Sequence, residues 1–372
     1  MIVDCDSHML PPDAFDHVEA AFAGRIPRLS FDEDGALADV HFPDNPAHLS
    51  GTTPVPVTDA SQGLQHRGVC DIEARLADAA RMGVDLQVLL PLVTGWWSYL
   101  LEPGVGAAVA HSWNVSVLGL MGRHSRALLG VALIPLQDVR AAVRELEWAA
   151  DNGFSAVMLD YVYPVAEHPY GTTLTSHPEV WPFFEQVARL DVPVFLHAVQ
   201  HGHRIVNLPN FRSHGLDFCA PNDAEMNLVA LITSGLLDDF PELRFIHAET
   251  GTAHLRSLVR RMEARFDGSD DPRLHELRVG PSAERNRRRP EHYFRTNFFW
   301  TIETEEPGLA EAIDVLGAER FLFATDYPHD DAGGRMKFED ARRLAEHAGI
   351  SPEAKDAIRS GNARRLFGLS EG

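Results

Sequence analysis

Eight short runs of apolar and β-branched residues recur along the chain, and each is followed by a stretch with helical spacing. The runs cover about 1–8, 85–91, 128–134, 154–160, 192–198, 242–248, 293–302 and 320–326. Stretches 71–82, 104–123, 138–152, 178–190, 224–237, 253–266, 307–316 and 337–347 place apolar residues three and four apart, as a helix lying on a sheet requires. Strands buried on both faces read as nearly unbroken apolar runs. Val192-Pro193-Val194-Phe195-Leu196 and Phe321-Leu322-Phe323-Ala324 fit that description. Eight strand–helix units are the count that closes an α/β (β/α)8 TIM barrel. A doubly wound sheet would alternate in the same way, but no glycine-rich phosphate loop follows the first run. The expectation is one barrel domain over residues 1–372.

Two stretches exceed a minimal barrel. Residues about 24–70 are rich in Pro, Gly, Asp and His without a clear period, and read as an insertion after strand one. Residues about 199–223 form a long, lid-like connection after strand five, and long ordered loops are usually functional. The chain closes over 351–369 with two expected short helices outside the barrel.

The net charge of −21 argues against a nucleic-acid or anionic-membrane partner. No apolar run approaches the ~20 residues of a membrane span, and the start lacks the basic and apolar regions of a signal peptide. Cys5, Cys70 and Cys219 show no CxxC spacing, which fits a reducing cytoplasm better than a disulfide or thiolate-metal scaffold.

Chemistry in such barrels sits at the C-terminal strand ends. Those ends carry Asp6 and His8, Asp160, His197, His247 and Glu249, and Asp326. In a regular strand Asp4, Asp6 and His8 would share a face, and carboxylates and imidazole are costly to bury unless they bind something. One histidine after an apolar run is commonly a hydrogen-bonded core residue, and one aspartate a helix cap. Such residues at ends one, five and eight together, where the ends converge, point to a divalent metal.

Several segments resemble the amidohydrolase superfamily, in particular the amidohydrolase-related group that contains aminocarboxymuconate semialdehyde decarboxylase and the resorcylate decarboxylases. They are Val3-Asp4-Cys5-Asp6-Ser7-His8, Trp181-Pro182-Phe183 with Pro193 to His197, Leu237 to Gly251, Phe323-Ala324-Thr325-Asp326-Tyr327-Pro328-His329 and Gly361 to Leu369. The resemblance implies Asp6, His8, His197 and Asp326 as ligands of one divalent ion. Asp6 stands where well-known members have histidine, so the oxygen-rich set suits manganese as well as zinc. Binuclear members of the superfamily bridge two ions with a strand-four lysine. The only lysines here, Lys337 and Lys355, lie off every expected strand, so a mononuclear site is expected. The group's strand-six histidine corresponds here to Glu249, with His247 two residues before it.

The expected catalytic residues are therefore Asp326, as acceptor of a proton from metal-bound water, with Glu249 and His247 as the second acid/base. His201, His254, Trp300 and His329 are the expected substrate contacts, with Trp96, Trp97, His203 and Arg204 as further pocket candidates. The function reading favoured on these residues is hydrolysis of an ester, thioester, lactone or amide carbonyl in a small organic substrate. The alternative is non-oxidative decarboxylation of an aromatic or unsaturated carboxylic acid. A barrel that keeps its metal only for structure is disfavoured, because all four ligand positions are filled. The resemblance also implies a homodimer.

Overall fold

β1 (Val3–Met9) is buried along its whole length and opens a parallel eight-stranded sheet. In this computed structural model the described residues are 1–41, 66–92, 102–165, 168–174, 177–197, 215–267, 286–329 and 338–370. A hairpin of β2 (Arg28–Phe31) and β3 (Leu37–His41) lies within the stretch read as an insertion. Then come α1 (Ile72–Met82), β4 (Leu86–Pro91), α2 (Pro103–Arg123), β5 (Leu128–Leu133), α3 (Val139–Asp151) and β6 (Ala156–Leu159). A second hairpin, β7 (Val162–Val165) and β8 (His168–Leu174), leads to α4 (Trp181–Leu190) and β9 (Val194–His197). The chain continues through α5 (Gly215–Thr233), α6 (Leu236–Asp239), β10 (Phe245–Ala248), α7 (Leu255–Asp267), α8 (Pro290–Thr296) and β11 (Phe298–Ile302). It ends with α9 (Leu309–Leu316), β12 (Phe321–Phe323), α10 (Asp340–Glu346), α11 (Pro352–Asp356) and α12 (Asn362–Leu366).

The order β1-β4-β5-β6-β9-β10-β11-β12, each strand parallel to the next, is the (β/α)8 barrel expected from the sequence. Helices form where a cap and an apolar stripe coincide. Asp71 accepts from the amides of Glu73 and Ala74 at the start of α1, and Gly83 ends that helix at φ 73°, a left-handed turn that favours glycine. Among the described residues the core is one large cluster spanning the sheet and the helix faces that cover it, with a smaller one of Leu10, Phe15, Ile26, Leu37, Val40 and neighbours beneath the β2–β3 hairpin.

The seam between β12 and β1 is built differently from the other strand junctions. It has one isolated bridge, Ser7 with Tyr327, and two backbone hydrogen bonds, Asp326 N to Asp6 O (3.0 Å) and His8 N to Tyr327 O (2.6 Å).

Three boundaries differ from expectation. Residues 293–297 do not extend strand seven but complete α8, because Pro290 opens a helical turn whose Tyr293 and Phe294 are buried together. Gly215–Thr233 is one helix running through Pro221, so it takes the end of the stretch read as a loop; the proline removes one helical donor without ending the helix. At the C-terminus α11 and α12 are joined by a π-helical segment, Ala357–Gly361, rather than separated.

Candidate metal centre

Regular alternation along β1 would group Asp4 with Asp6 and His8, and the structure separates it. Pairing with β4 runs Asp4 to Gln87 and then Ser7 to Leu89, so β1 carries one residue more than its partner there. Asp4 and Ser7 consequently meet the same side-chain amide, Gln87 Nε2, at 3.3 and 3.0 Å. Asp6 and His8 project together on the other side. The Asp4 carboxylate accepts from Thr325 N (2.9 Å) and Thr325 Oγ1 (2.7 Å), which fixes the residue before Asp326. Burial pushes the Asp4 carboxyl up to about 6, against the pull of the Thr325 hydrogen bonds.

Two overlapping groups converge above the sheet: Asp6, His8, His197 and Glu249, and then His8, Glu249, Asp326 and His329. Within each group one ligand atom per residue lies within 4.8 Å of every other. His8 Nε2 lies 2.8 Å from Glu249 Oε1, 3.4 Å from Asp326 Oδ1 and 3.5 Å from Asp6 Oδ1. His197 Nε2 lies 3.1 Å from the same Glu249 oxygen. On the far side of its ring, His8 Nδ1 is 3.1 Å from Pro91 O. A carbonyl can only accept, so Nδ1 carries the proton and Nε2 of the neutral ring turns a lone pair toward the carboxylates.

Lone pairs facing lone pairs in a buried site need a proton or a cation between them. The side chains alone take the proton. Burial opposes charge on His8, but Asp326 and Glu249 outweigh it and raise the imidazole well above its usual value. Burial is likewise overcome at His197, chiefly by Glu249, and at Glu249, whose carboxyl His197 holds well below the usual range. Asp6 goes the other way: burial raises it, and Oδ1 accepts no hydrogen bond among the described residues. A divalent ion among these atoms would offset two of the three carboxylate charges and engage both Nε2 lone pairs. The donor set of imidazole nitrogen and carboxylate oxygen therefore fits a zinc- or manganese-type ion.

Backbone shape delivers two of these carboxylates. Among the described residues three non-glycines have positive φ: Asp191, Glu249 (φ 53°) and Asp326 (φ 53°). The left-handed region costs an ordinary residue about 1–2 kcal/mol. The last two stand just past the ends of β10 and β12, where the turn out of the strand swings each side chain over the barrel. His329 Nδ1 then meets Asp326 Oδ1 at 2.8 Å, and its ring lies 4.9 Å from that of His8. Thr301 Oγ1 donates to Asp6 Oδ2 at 3.1 Å.

Other expected site residues are not brought here. Two residues apart in a regular strand, His247 and Glu249 would share a face. The left-handed turn breaks that alternation, and His247 is buried with Nδ1 3.0 Å from the Tyr161 hydroxyl, stacked on Tyr161 and Trp300. Burial holds this imidazole down, at about 3. Trp300 is fully buried against His247, Phe294 and Phe321 rather than lining a pocket, since its neighbour Thr301 takes the site-facing position. His254, just before α7, feels Glu225 of α5 and Arg261 of α7 and is absent from both metal-binding groups. Asp160 is buried with Oδ1 accepting from Tyr161 N. His201, His203, Arg204, Trp96 and Trp97 lie outside the described residues.

Glu249, expected as an acid/base, stands among the candidate ligand atoms, and a carboxylate directly after a strand end is itself a ligand pattern. Arg75 lies outside the expected set. An arginine on the apolar stripe of α1, shared with Ala79 and Met82, was the available sign.

The family profile described as Amidohydrolase matches residues 3–369. γ-Resorcylate decarboxylase of Rhizobium radiobacter is 28% identical over 327 residues, covering 82% of this chain and 90% of that protein. The enzyme of the same name from Polaromonas sp. JS666 is 28% identical over 264 residues, covering 65% and 70%. A dihydroxybenzoic acid decarboxylase from Polaromonas sp. JS666, solved with manganese and 2-nitroresorcinol, shares the fold with a TM-score of 0.68. Its identity is 21%, with 100% of this chain and 98% of that chain covered. Four curated relatives, the first two above among them, bear the name γ-resorcylate decarboxylase, which overturns the expectation of carbonyl hydrolysis. With the profile spanning almost its whole length, the chain belongs to the amidohydrolase family.

Proposed function

We propose that this protein is a metal-dependent, non-oxidative decarboxylase acting on a small aromatic or unsaturated carboxylic acid. The observation that carries this reading is the pair of overlapping groups, Asp6, His8, His197 and Glu249 and then His8, Glu249, Asp326 and His329, in a chain four of whose relatives are named γ-resorcylate decarboxylase. Asp6, His8, His197, Glu249 and Asp326 would hold one divalent ion, manganese or zinc. When bound, that ion supplies the positive charge that holds a substrate carboxylate and a neighbouring oxygen.

The remaining chemistry belongs to the chain. Cleavage breaks the bond between the carboxyl carbon and its neighbour. Carbon dioxide leaves and the electron pair stays on the substrate carbon, which must then take a proton. His329 Nδ1 and Asp326 Oδ1, 2.8 Å apart, can hold one proton between them beside the reacting centre. Once it is delivered, His329, which keeps side-chain exposure of 23%, can be reprotonated from solvent. Glu249 Oε1 stands between the two imidazoles, 2.8 Å from His8 Nε2 and 3.1 Å from His197 Nε2, so one ion would reach all three, and His247, turned away and kept neutral, takes no part.

The test is a panel of hydroxybenzoates and unsaturated dicarboxylates incubated with manganese-loaded and zinc-loaded protein, following carbon dioxide release. The expected result is release from at least one ortho-hydroxylated aromatic acid, lost in His329→Gln with the ion still bound. Cleavage of acyl esters without carbon dioxide release from any acid would overturn the proposal.

A further inference from the structure

Arg75 lies on α1, in the helix layer, yet is fully buried, and a buried guanidinium is costly unless its donors are engaged. Its partners are Ser7 and His8 of β1, Gln87 of the adjoining β4 and Tyr327 beyond β12, while Nε meets no acceptor among the described residues. Nη1 donates to Ser7 Oγ at 2.7 Å and to Gln87 Oε1 at 3.3 Å, and Nη2 donates to the backbone carbonyl of His8. Its guanidinium carbon stands 4.7 Å from the ring centre of Tyr327, the residue after Asp326. The Tyr327 hydroxyl donates to Asp78 Oδ2, one turn along the same helix, at 2.9 Å, and lies 3.1 Å from His66 Nδ1. One helix thus grips β1 through Arg75, and the chain after β12 through both Arg75 and Asp78.

The seam has use for such a grip, because among the described residues its backbone pairing is one isolated bridge with two backbone hydrogen bonds, and the Asp4 carboxylate on Thr325 is its other hydrogen-bonded link. We propose that Arg75, with Tyr327 as its counterpart, is the positioning residue of the metal centre: a clamp from outside the barrel that sets the separation of His8 from Asp326. This rests on the metal reading above. Arg75 touches no reacting atom and acts through His8 O and Ser7 on one side and the Tyr327 ring on the other. Arginine suits the task because its planar fork serves three acceptors on one side while its face packs on an aromatic ring. The fit is close: a Cβ built on Gly68 would fall 1.7 Å from the Tyr327 hydroxyl.

The test compares manganese affinity, by competition with a fluorescent chelator, in the wild-type protein, Arg75→Lys and Gly68→Ala. Melting temperatures are recorded with and without manganese. Lysine keeps the charge and loses the fork, and alanine at 68 pushes on Tyr327 without touching the site. The expected result is ~10–100-fold weaker manganese binding in Arg75→Lys, the range for residues that orient ligands. Gly68→Ala should show a smaller loss in the same direction, and both should gain less melting temperature from manganese than wild type. Folded Arg75→Lys that binds manganese within twofold of wild type would overturn the clamp. Should Arg75→Lys not fold, unchanged affinity in Gly68→Ala overturns it equally. A wild-type protein that binds no divalent ion at all would instead remove the metal centre, and the clamp with it.

Discussion

The two sides of this barrel are held by different means. Across β9, β10 and β11 the strands pair in continuous register, Val194 with Phe245 with Phe298 and onward. Behind β10 and β11 the packing is aromatic: the His247 imidazole lies against Tyr161, Phe298 and Trp300, and Trp300 in turn packs on Phe294 and Phe321. Across β12 and β1 the ladder is reduced to one bridge, and polar groups back it: Asp4, Ser7, Gln87, Arg75 and Thr325. Apolar packing is strong but weakly directional, whereas hydrogen bonds fix angles and distances. The wall therefore carries stability and contributes His197 and Glu249 at its upper edge. The seam carries Asp6, His8, Asp326 and His329, whose relative placement matters most.

The largest expected effect separates the two regions outright. Asp326→Ala and His197→Ala, one from each side, should each cost at least about 100-fold in metal affinity and abolish activity; retention of a full equivalent of ion in both, by elemental analysis, would dissolve the centre. His329→Gln should then lower the decarboxylation rate by about 10²–10⁴, the usual worth of a positioned acid, with the ion retained. A rate within tenfold of wild type would assign the proton to another group.

On the wall the prediction is reversed. Trp300→Ala should destabilise by about 3–5 kcal/mol in chemical denaturation, since it empties a fully buried site, yet leave manganese affinity of the folded protein unchanged. A parallel drop in affinity would show that the two sides are not separable.

The smallest effect is one of pH. His247 is held neutral when folded, with its pKa lowered to about 3 by burial, whereas in the unfolded chain it titrates near 6.5. Below 6.5 the unfolded state binds a proton that the folded state refuses, so stability falls on acidification. The slope is about 1.4 kcal/mol per pH unit at most. Between pH 6.5 and 5 the wild type should lose about 2 kcal/mol more than His247→Gln, measured by urea unfolding; equal losses would mean that the ring is protonated in the fold.

The barrel was legible because burial on both faces leaves a mark in the sequence. Val194 to Leu196 and Phe321 to Phe323 are apolar without interruption, and the helices between strands announce themselves by period and cap. The ligand-bearing strand ends were legible for a related reason: His197 and Asp326 interrupt apolar runs at the point where a barrel opens. Alternation failed where the backbone left ideal geometry. One extra residue in β1 carried Asp4 away from Asp6 and His8, and a left-handed residue after β10 set Glu249 and His247 apart. Local pattern assumes a regular strand, and both sites depend on its irregularities.

By itself, then, the sequence determined the eight-unit barrel and the residues Asp6, His8, His197 and Asp326 as a converging set, because periodicity and composition follow from burial alone. Only the tertiary structure placed Glu249 beside them, His329 against Asp326, and His247 and Trp300 in the aromatic packing away from that cluster. It also placed Arg75 behind the seam. These are matters of angle and distance between segments far apart in the chain, His8 and Glu249 being separated by 241 residues, and no local pattern encodes them.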